Sequence, residues 1–304
     1  MTTRLALIGS DERTAALAER LSPAGPVSGG RFEIARWGNG PGDEADLSEQ
    51  AGRAGVPVVS WQQAVSDPSV EAVVVAGQPA ERQPVVIQAL RYGKVVVCPP
   101  PCATSEEDLE GVEQALRESG GALLAVGDTT ASFAGRRALS AITAGSVGEI
   151  HAIFGAARRR IGAPDTAEGL WDLLDFVTRC AGAPERGHAM AGDFGAILAT
   201  LRMQSGTVVT LEVAASLPQT FPADREVEVE ISGALAAIRI EPNNGALRLS
   251  AAESLPTHRP WQNRPAELLL DDLEAAFTLR PEPEVAMAHQ RDLVRAMTIV
   301  KSAL

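Results

Sequence analysis

The sequence predicts an α/β fold in two parts. A doubly wound parallel sheet is expected over residues 1–127, and an α+β domain with an open antiparallel sheet over residues 128–304. Two observations carry this division. Over the first part, short apolar runs alternate six times with segments of helical spacing, and the connections are brief. Beyond residue 144 the strands lengthen, alternate apolar with polar side chains, and follow one another across turn residues. A length of 304 residues suits two domains, each able to bury its own core.

In the first part, Arg4 to Ile8 is an apolar run ending in Gly9, and Asp11 to Leu21 follows with Ala16, Leu17 and Leu21 on one helical face. Phe32 to Ala35 is a weaker strand and Pro57 to Ser60 another, after which Ser60 and Gln63 form a capping box. Glu71 to Ala76 is β-branched and fully apolar within, as a buried parallel strand requires. Pro84 to Tyr92 is a helix stopped by Gly93. Val95 to Cys98 is the next strand, Thr104 with Glu107 caps the helix after it, and Leu123 to Val126 is the sixth strand.

In the second part, a helix near Phe133 to Ala144 precedes a strand at Ile150 to Ala157 and a helix from Thr166 to Ala181. Phe194 to Met203 and Val208 to Ala215 form a hairpin across Ser205-Gly206. Glu226 to Ser232 puts Val227, Val229 and Ile231 on one face and three glutamates on the other. Leu235 to Ile240 and Ala246 to Leu249 join through Asn243-Asn244-Gly245, and Glu253 to Pro283 is expected to be a long loop. The last helix, residues 285–303, carries Leu293, Ala296, Met297 and Val300 as a stripe expected to pack back on the first domain.

Composition bounds the partners. A net charge of -12 repels phosphates, which excludes nucleic acid and anionic membrane surfaces. No apolar run approaches the roughly 20 residues of a membrane span, and the start of the chain lacks a secretory apolar region. Cys98, Cys102 and Cys180 make no metal-ligand spacing with the four histidines, so a reducing cytoplasm is the expected setting.

Glu71 to Lys94, the run VVVC at 95–98, Leu123 to Ile150, Asp193 to Ala215 and Glu226 to Ile240 together resemble the Gfo/Idh/MocA family of sugar and inositol dehydrogenases. The resemblance implies a Rossmann-like first domain and a cleft between the domains that takes a small polar or sugar-like ligand. It also implies a homo-oligomer through the outer face of the second sheet, although Glu226, Glu228 and Glu230 argue against a greasy patch there. The cofactor positions it implies are Gly9, Ser10 and Arg13 after the first strand, Arg36 and Trp37 after the second, and Gly77 and Gln78 in the loop after Ala76.

Four positions depart from the family's pattern. The glycine-rich turn keeps Gly9 but has Asp11 and Thr14 where further glycines belong. A carboxylate about 4 Å from a phosphate oxygen costs roughly 4 kcal/mol at an effective dielectric near 20. Asp11 reads equally as a helix cap, and Arg13 turned inward would offset its charge. Where the family has an acid for the ribose of NAD, this chain has Arg36-Trp37, either a seat for the 2′-phosphate and adenine of NADP or surface residues without a ligand. The family's Glu-Lys-Pro becomes Pro99-Pro100-Pro101, with Pro100 at the catalytic lysine's place, and proline offers neither a titrating group nor an N–H. The family's histidine position is Asp172, which shares a helical face with Glu168, Asp175 and Arg179; the face is either a solvated one with an Asp175–Arg179 pair or the seat of a general base.

These departures lead to the expectation of a family member without hydride-transfer machinery and without a nicotinamide cofactor. It would act as a binding or scaffold protein, or as a non-redox acid–base enzyme through Glu168, Asp172 and Asp175. The alternative is an NADP-dependent oxidoreductase with Asp172 as its base. Arg158-Arg159-Arg160 is either an anion site or a solvated strand end.

Overall fold

The computed structural model describes residues 2–10, 12–21, 32–42, 46–162, 167–251, 254–259 and 282–304. Among them, the residues of Met1–Val126 and Ala266–Arg291 form one compact unit, and those of Gly127–Pro265 and Asp292–Leu304 form a second.

Unit one runs β1 (Thr3–Ile8), α1 (Glu12–Leu21), β2 (Phe32–Gly38), α2 (Ser48–Ala54), α3 (Trp61–Ser66), β3 (Ala72–Val75), α4 (Pro79–Arg91), β4 (Val95–Cys98), α5 (Glu106–Ser119) and β5 (Ala122–Ala125). The strands make one parallel sheet of order β2-β1-β3-β4-β5. The chain leaves β1 toward β2 and returns on the other side to β3, so the switch point lies between β1 and β3. Leu5, Leu7, Val74 and Val97 on one face cluster with Leu17 and Leu21 of α1 and with Ala51 and Ala54 of α2. On the other face α4 packs against β3, β4, α3 and α5. Each buried valine of β3 and β4 stabilises the sheet by about 1.5–3 kcal/mol.

Five strands pair here, not six. Val58 meets Trp37 through one parallel bridge, and the segment is cut short between Pro57 and the cap of α3. That cap is the expected box, with Ser60 Oγ accepting from Gln63 N at 3.3 Å and Gln63 Oε1 accepting from Ser60 N at 3.2 Å. The cap of α5 lies one residue beyond its expected place: Ser105, not Thr104, accepts from Asp108 N at 3.1 Å.

Unit two contains α6 (Asp128–Ala131), α7 (Phe133–Thr143), β6 (Ile150–Arg160), α8 (Ala167–Ala181), β7 (Pro184–Ala191), β8 (Ile197–Met203), β9 (Val208–Leu217), β10 (Arg225–Gly233), β11 (Ala236–Glu241), β12 (Ala246–Ala251) and β13 (Ser254–Arg259). Its eight strands lie in the order β13-β12-β11-β10-β6-β9-β8-β7, antiparallel except for the parallel pair β6–β9. One face is covered by α8 over β6 and β9 and by α7 over β11 and β12. Val227, Val229 and Ile231 point into this core as their alternation requires. β7 and β13 are additional to the expected strands; the first is an edge strand with six of eight residues exposed, so it lacks a buried alternation. β13 falls within the segment expected to be a loop, most of which lies outside the described residues.

The last helix, α9 (Pro283–Ala303), contributes to both units. In unit one Gln290 Oε1 accepts from Cys102 N at 3.2 Å and Arg291 pairs with Glu113. In unit two Leu293, Ala296, Met297 and Val300 join the core. None of the helices among the described residues is long and apolar enough to cross a membrane.

The buried Trp37 indole donates to Gly9 O at 2.9 Å, linking β2 to the turn after β1. Trp37→Phe keeps most of the apolar contact and removes this bond. Urea unfolding is expected to show unit one weakened by about 1–3 kcal/mol. An unchanged midpoint would mean that the bond contributes nothing.

Candidate functional site

In unit one the carboxyl ends of β1, β2 and β3 meet around Gly9. This residue has φ +117°, and a Cβ on it would lie 3.1 Å from Ala76 Cβ and 3.2 Å from the Ala76 carbonyl carbon. Its N–H donates to Gly38 O at 2.8 Å, and its carbonyl accepts from Trp37 Nε1 and from Thr14 Oγ1 at 3.2 Å. The turn is therefore closed by internal partners, and backbone without a side chain remains at the strand end with half-buried Ser10 next to it. Gly77, with φ +88°, follows β3, and exposed Gln78 stands at the N-cap position of α4 without a side-chain capping bond. This matches what a dinucleotide needs, a bare strand end near the switch point. Asp11, and the side chain of Arg13, lie outside the described residues.

The expected pair at the end of β2 requires correction. The strand continues to Gly38, so Arg36 and Trp37 lie inside it, paired with Ala6 and Leu7. Trp37 is fully buried and has no free face for an adenine. Arg36 pairs with Asp67 at 2.7 Å and donates to Ala35 O at 2.8 Å. The Asp67 and Val70 carbonyls accept from Lys94 Nζ just ahead of β3 and β4, so Arg36 reaches toward the amino ends of the strands, away from a ribose phosphate. The residue at the carboxyl end of β2 is Asn39, which sequence reasoning missed. The Gly38-Asn39-Gly40 turn signal was the clue available.

After β4 the chain runs Pro99-Pro100-Pro101. Arg82 of α4, only 2% exposed, gathers this segment: its Nη1 donates to the carbonyls of Pro99, Pro100 and Pro101 at 3.2, 3.3 and 3.4 Å. Its Nε donates to Gly77 O at 2.9 Å. The chain has two lysines, and neither belongs to this segment. Lys94 precedes β4, and Lys301 stands 6.0 Å over the Trp171 ring. Cys98 and Cys102 flank the prolines, and burial pushes the Cys98 thiol up to about 12 and the Cys102 thiol well above its usual value, so both are inert near neutrality.

In unit two, α8 presents its acids to the start of α6. Asp172 Oδ1 accepts from Thr129 N at 3.0 Å and its Oδ2 from Thr129 Oγ1 at 2.6 Å. Asp175 Oδ2 accepts from Gly127 N at 3.1 Å and from Thr130 Oγ1 at 2.6 Å, while its Oδ1 pairs with Arg179 at 3.0 Å. A Cβ on Gly127 would collide with Asp172 Oδ1 and lie 3.1 Å from Asp175 Oδ2. The face is thus not solvated: Asp172 is 8% exposed and Asp175 0%. Burial, then the neighbouring Asp128 carboxylate, pushes the Asp172 pKa up to about 6; the Thr129 bonds and the charge of Arg225 oppose the shift. Arg225 pairs with Asp128 at 2.7 Å.

Glu168 stands apart, bonded to Arg159 at 2.5 Å. Arg158 is held by Glu212 at 2.9 Å and Glu226 at 3.4 Å, and Arg160 by Asp224 at 3.0 Å. The three-arginine run is therefore built into ion pairs on the sheet. Among the described residues no group of His, Cys, Asp and Glu could hold a metal ion.

Residues 37–127 match the family model described as the oxidoreductase family with an NAD-binding Rossmann fold, Gfo/Idh/MocA. Inositol 2-dehydrogenase 2 of Saccharopolyspora erythraea is 24% identical over 258 residues, 79% of this chain and 75% of that one. Among solved structures, levoglucosan dehydrogenase in complex with NADH superposes with a TM-score of 0.81 at 13% identity, covering 100% of this chain and 97% of that one. Its complex with NADH and levoglucosan gives 0.78 at 15%, with the same coverages of 100% and 97%. An NAD-binding oxidoreductase from Klebsiella pneumoniae gives 0.77 at 16%, covering 100% and 97%. At such identities the structural likeness establishes the fold. The expectation of a chain without nicotinamide cofactor draws no support from these relatives.

The raised pKa of Asp172 has a signed consequence. Folding favours its protonated form, so its stabilising contribution is complete below the unfolded value of 3.8 and is lost as pH rises through about 6. A shift of that size corresponds to about 3 kcal/mol at most. Asp172→Asn keeps the shape and is expected to be about 1–3 kcal/mol more stable than the parent at pH 7.5, the advantage vanishing toward pH 4. Denaturant midpoints measured across that range check it; parallel curves at every pH would contradict the buried, perturbed carboxyl.

Proposed function

We propose, for a chain that belongs to the Gfo/Idh/MocA oxidoreductase family through residues 37–127, that unit one binds a nicotinamide dinucleotide at the carboxyl ends of β1, β2 and β3. The protein uses it to oxidise or reduce a polyhydroxylated, sugar-like CH–OH substrate. The Gly9 turn is the observation that carries this reading, because a glycine at φ +117°, packed against Ala76, leaves the end of β1 without a side chain beside the switch point, where a pyrophosphate approaches such a sheet. Ser10 would hold the pyrophosphate beside Gly9, whose own N–H is bonded to Gly38, with Asn39 at the adenosine ribose hydroxyls and Gly77 with Gln78 at the other half. When bound, the nicotinamide supplies the hydride acceptor or donor.

The substrate hydroxyl also needs a proton acceptor. Asp172 stands at the family's histidine position, and a carboxyl with a pKa of about 6 is ionised at neutral pH yet basic enough to take a proton. Glu168 and Asp175 are no part of the proposal: Arg159 engages the first, and the second is fully buried among its donors. The substrate class is supported by the relatives named for inositol and levoglucosan. A binding protein without turnover is the second reading. It is favoured by the engagement of both Asp172 oxygens with Thr129 and by the lysine-free segment after β4.

The outer face of the eight-stranded sheet is proposed as the contact of a homo-oligomer. Met190 and Leu198 form an exposed cross-strand apolar pair there, and arginines and glutamates alternate beside it. Sedimentation should show more than the 31.8 kDa monomer, and a pure monomer would remove this part.

Separate titrations with NADH and NADPH, followed by tryptophan and nicotinamide emission, test the cofactor. NADH is expected to bind in the micromolar range and NADPH at least about tenfold more weakly, since Arg36 is turned to Asp67. Arg36→Ala should leave the NADH affinity unchanged. No response to either cofactor up to about a millimolar would overturn the reading.

A further inference from the structure

We infer that Arg82 is a positioning residue for the nicotinamide half of the dinucleotide, acting by holding the loops after β3 and β4 as one body; the inference rests on the cofactor reading above. Prolines have no N–H, so a tri-proline segment offers three carbonyls and cannot fasten itself by backbone donors. A buried guanidinium, with its fork of donors, supplies what the segment lacks. Four backbone carbonyls accept from Arg82, three on Pro99–Pro101 and one on Gly77. Gly77 belongs to the loop after β3 and the prolines to the loop after β4, so one side chain spans two neighbouring strand ends.

That placement distinguishes the two halves of the ligand. In a doubly wound sheet the dinucleotide straddles the switch point, with its adenosine over the first βαβ half and its nicotinamide over the second. Here the switch point lies between β1 and β3, so the loops after β3 and β4 belong to the nicotinamide side. The adenosine side is built around Gly9, which donates to Gly38 O and accepts from the Trp37 indole without Arg82. Loosening Arg82 should therefore weaken recognition of the nicotinamide half and spare the rest. A residue that only stabilised the domain would affect both halves alike.

Arg82→Lys and Arg82→Gln test this, with NADH and ADP-ribose titrated against the parent and both variants, and with thermal unfolding as a control. The lysine keeps the buried charge but reaches fewer of the four carbonyls, which makes it the variant able to fold if the glutamine does not. Expected is a loss of at least about tenfold in NADH affinity, with ADP-ribose held within about twofold. Equal weakening of both ligands, or of neither, in a folded variant would overturn the positioning role. Failure of the unaltered protein to bind NADH while it binds ADP-ribose would overturn the role and the nicotinamide reading together. Failure to bind either would sink the cofactor reading at its root.

Discussion

The Gly9 carbonyl accepts two hydrogen bonds from side chains, one from the indole of Trp37 and one from the hydroxyl of Thr14, while the Gly9 N–H is spent on Gly38. Unit one depends on this junction. Buried polar backbone must find partners, and here they come from β2 and from α1. The turn after β1 is consequently fixed at a positive φ, close against Ala76. The same junction explains why Trp37 is a core residue. A ring that must reach the Gly9 carbonyl from the penultimate residue of β2 has no freedom to lie against a ligand.

A second theme is substitution of one physical solution by another. A segment of three prolines loses its donors, and a buried arginine on α4 restores them. Asp172 of α8 is drawn into the start of α6, whose Gly127 admits no Cβ because the carboxylates of Asp172 and Asp175 close on it. Placing two carboxylates in such a spot costs desolvation energy, offset by hydroxyl and amide donors and by Arg179. The residual cost appears in the raised pKa of Asp172. Polar groups of this kind are expensive to bury, so their arrangement points to a site retained for its chemistry or its geometry.

The parallel sheet was legible in the sequence because buried strands such as Val95–Cys98 have no polar alternation, and the Ser60–Gln63 box is a local signal with a local structure. The family resemblance was legible for the same reason, since long apolar runs and turn glycines survive divergence. Other features depend on partners distant in sequence. The end of β2 was misplaced by three residues because its pairing with β1, including a bulge between Leu5 and Ala6, decides where the strand stops. Arg82 lay outside the expected helix, which was taken to start at Pro84 although α4 starts at Pro79, and its acceptors come from prolines some seventeen residues away. The acidic face of α8 was read as solvated in one view, yet α6 covers it, and a four-residue helix leaves almost no periodicity to detect. Edge strand β7 was missed because most of its residues on both faces are exposed, which removes the alternation on which strand prediction relies.

The central claim is that the strand ends around Gly9 seat a nicotinamide dinucleotide. A crystal structure of the protein grown with NADH tests it most directly. The account predicts the pyrophosphate against the Gly9 and Ser10 backbone, a ribose hydroxyl at Asn39, and Arg36 still paired with Asp67. NADH density elsewhere on the protein, or an adenine stacked on Trp37, would contradict it.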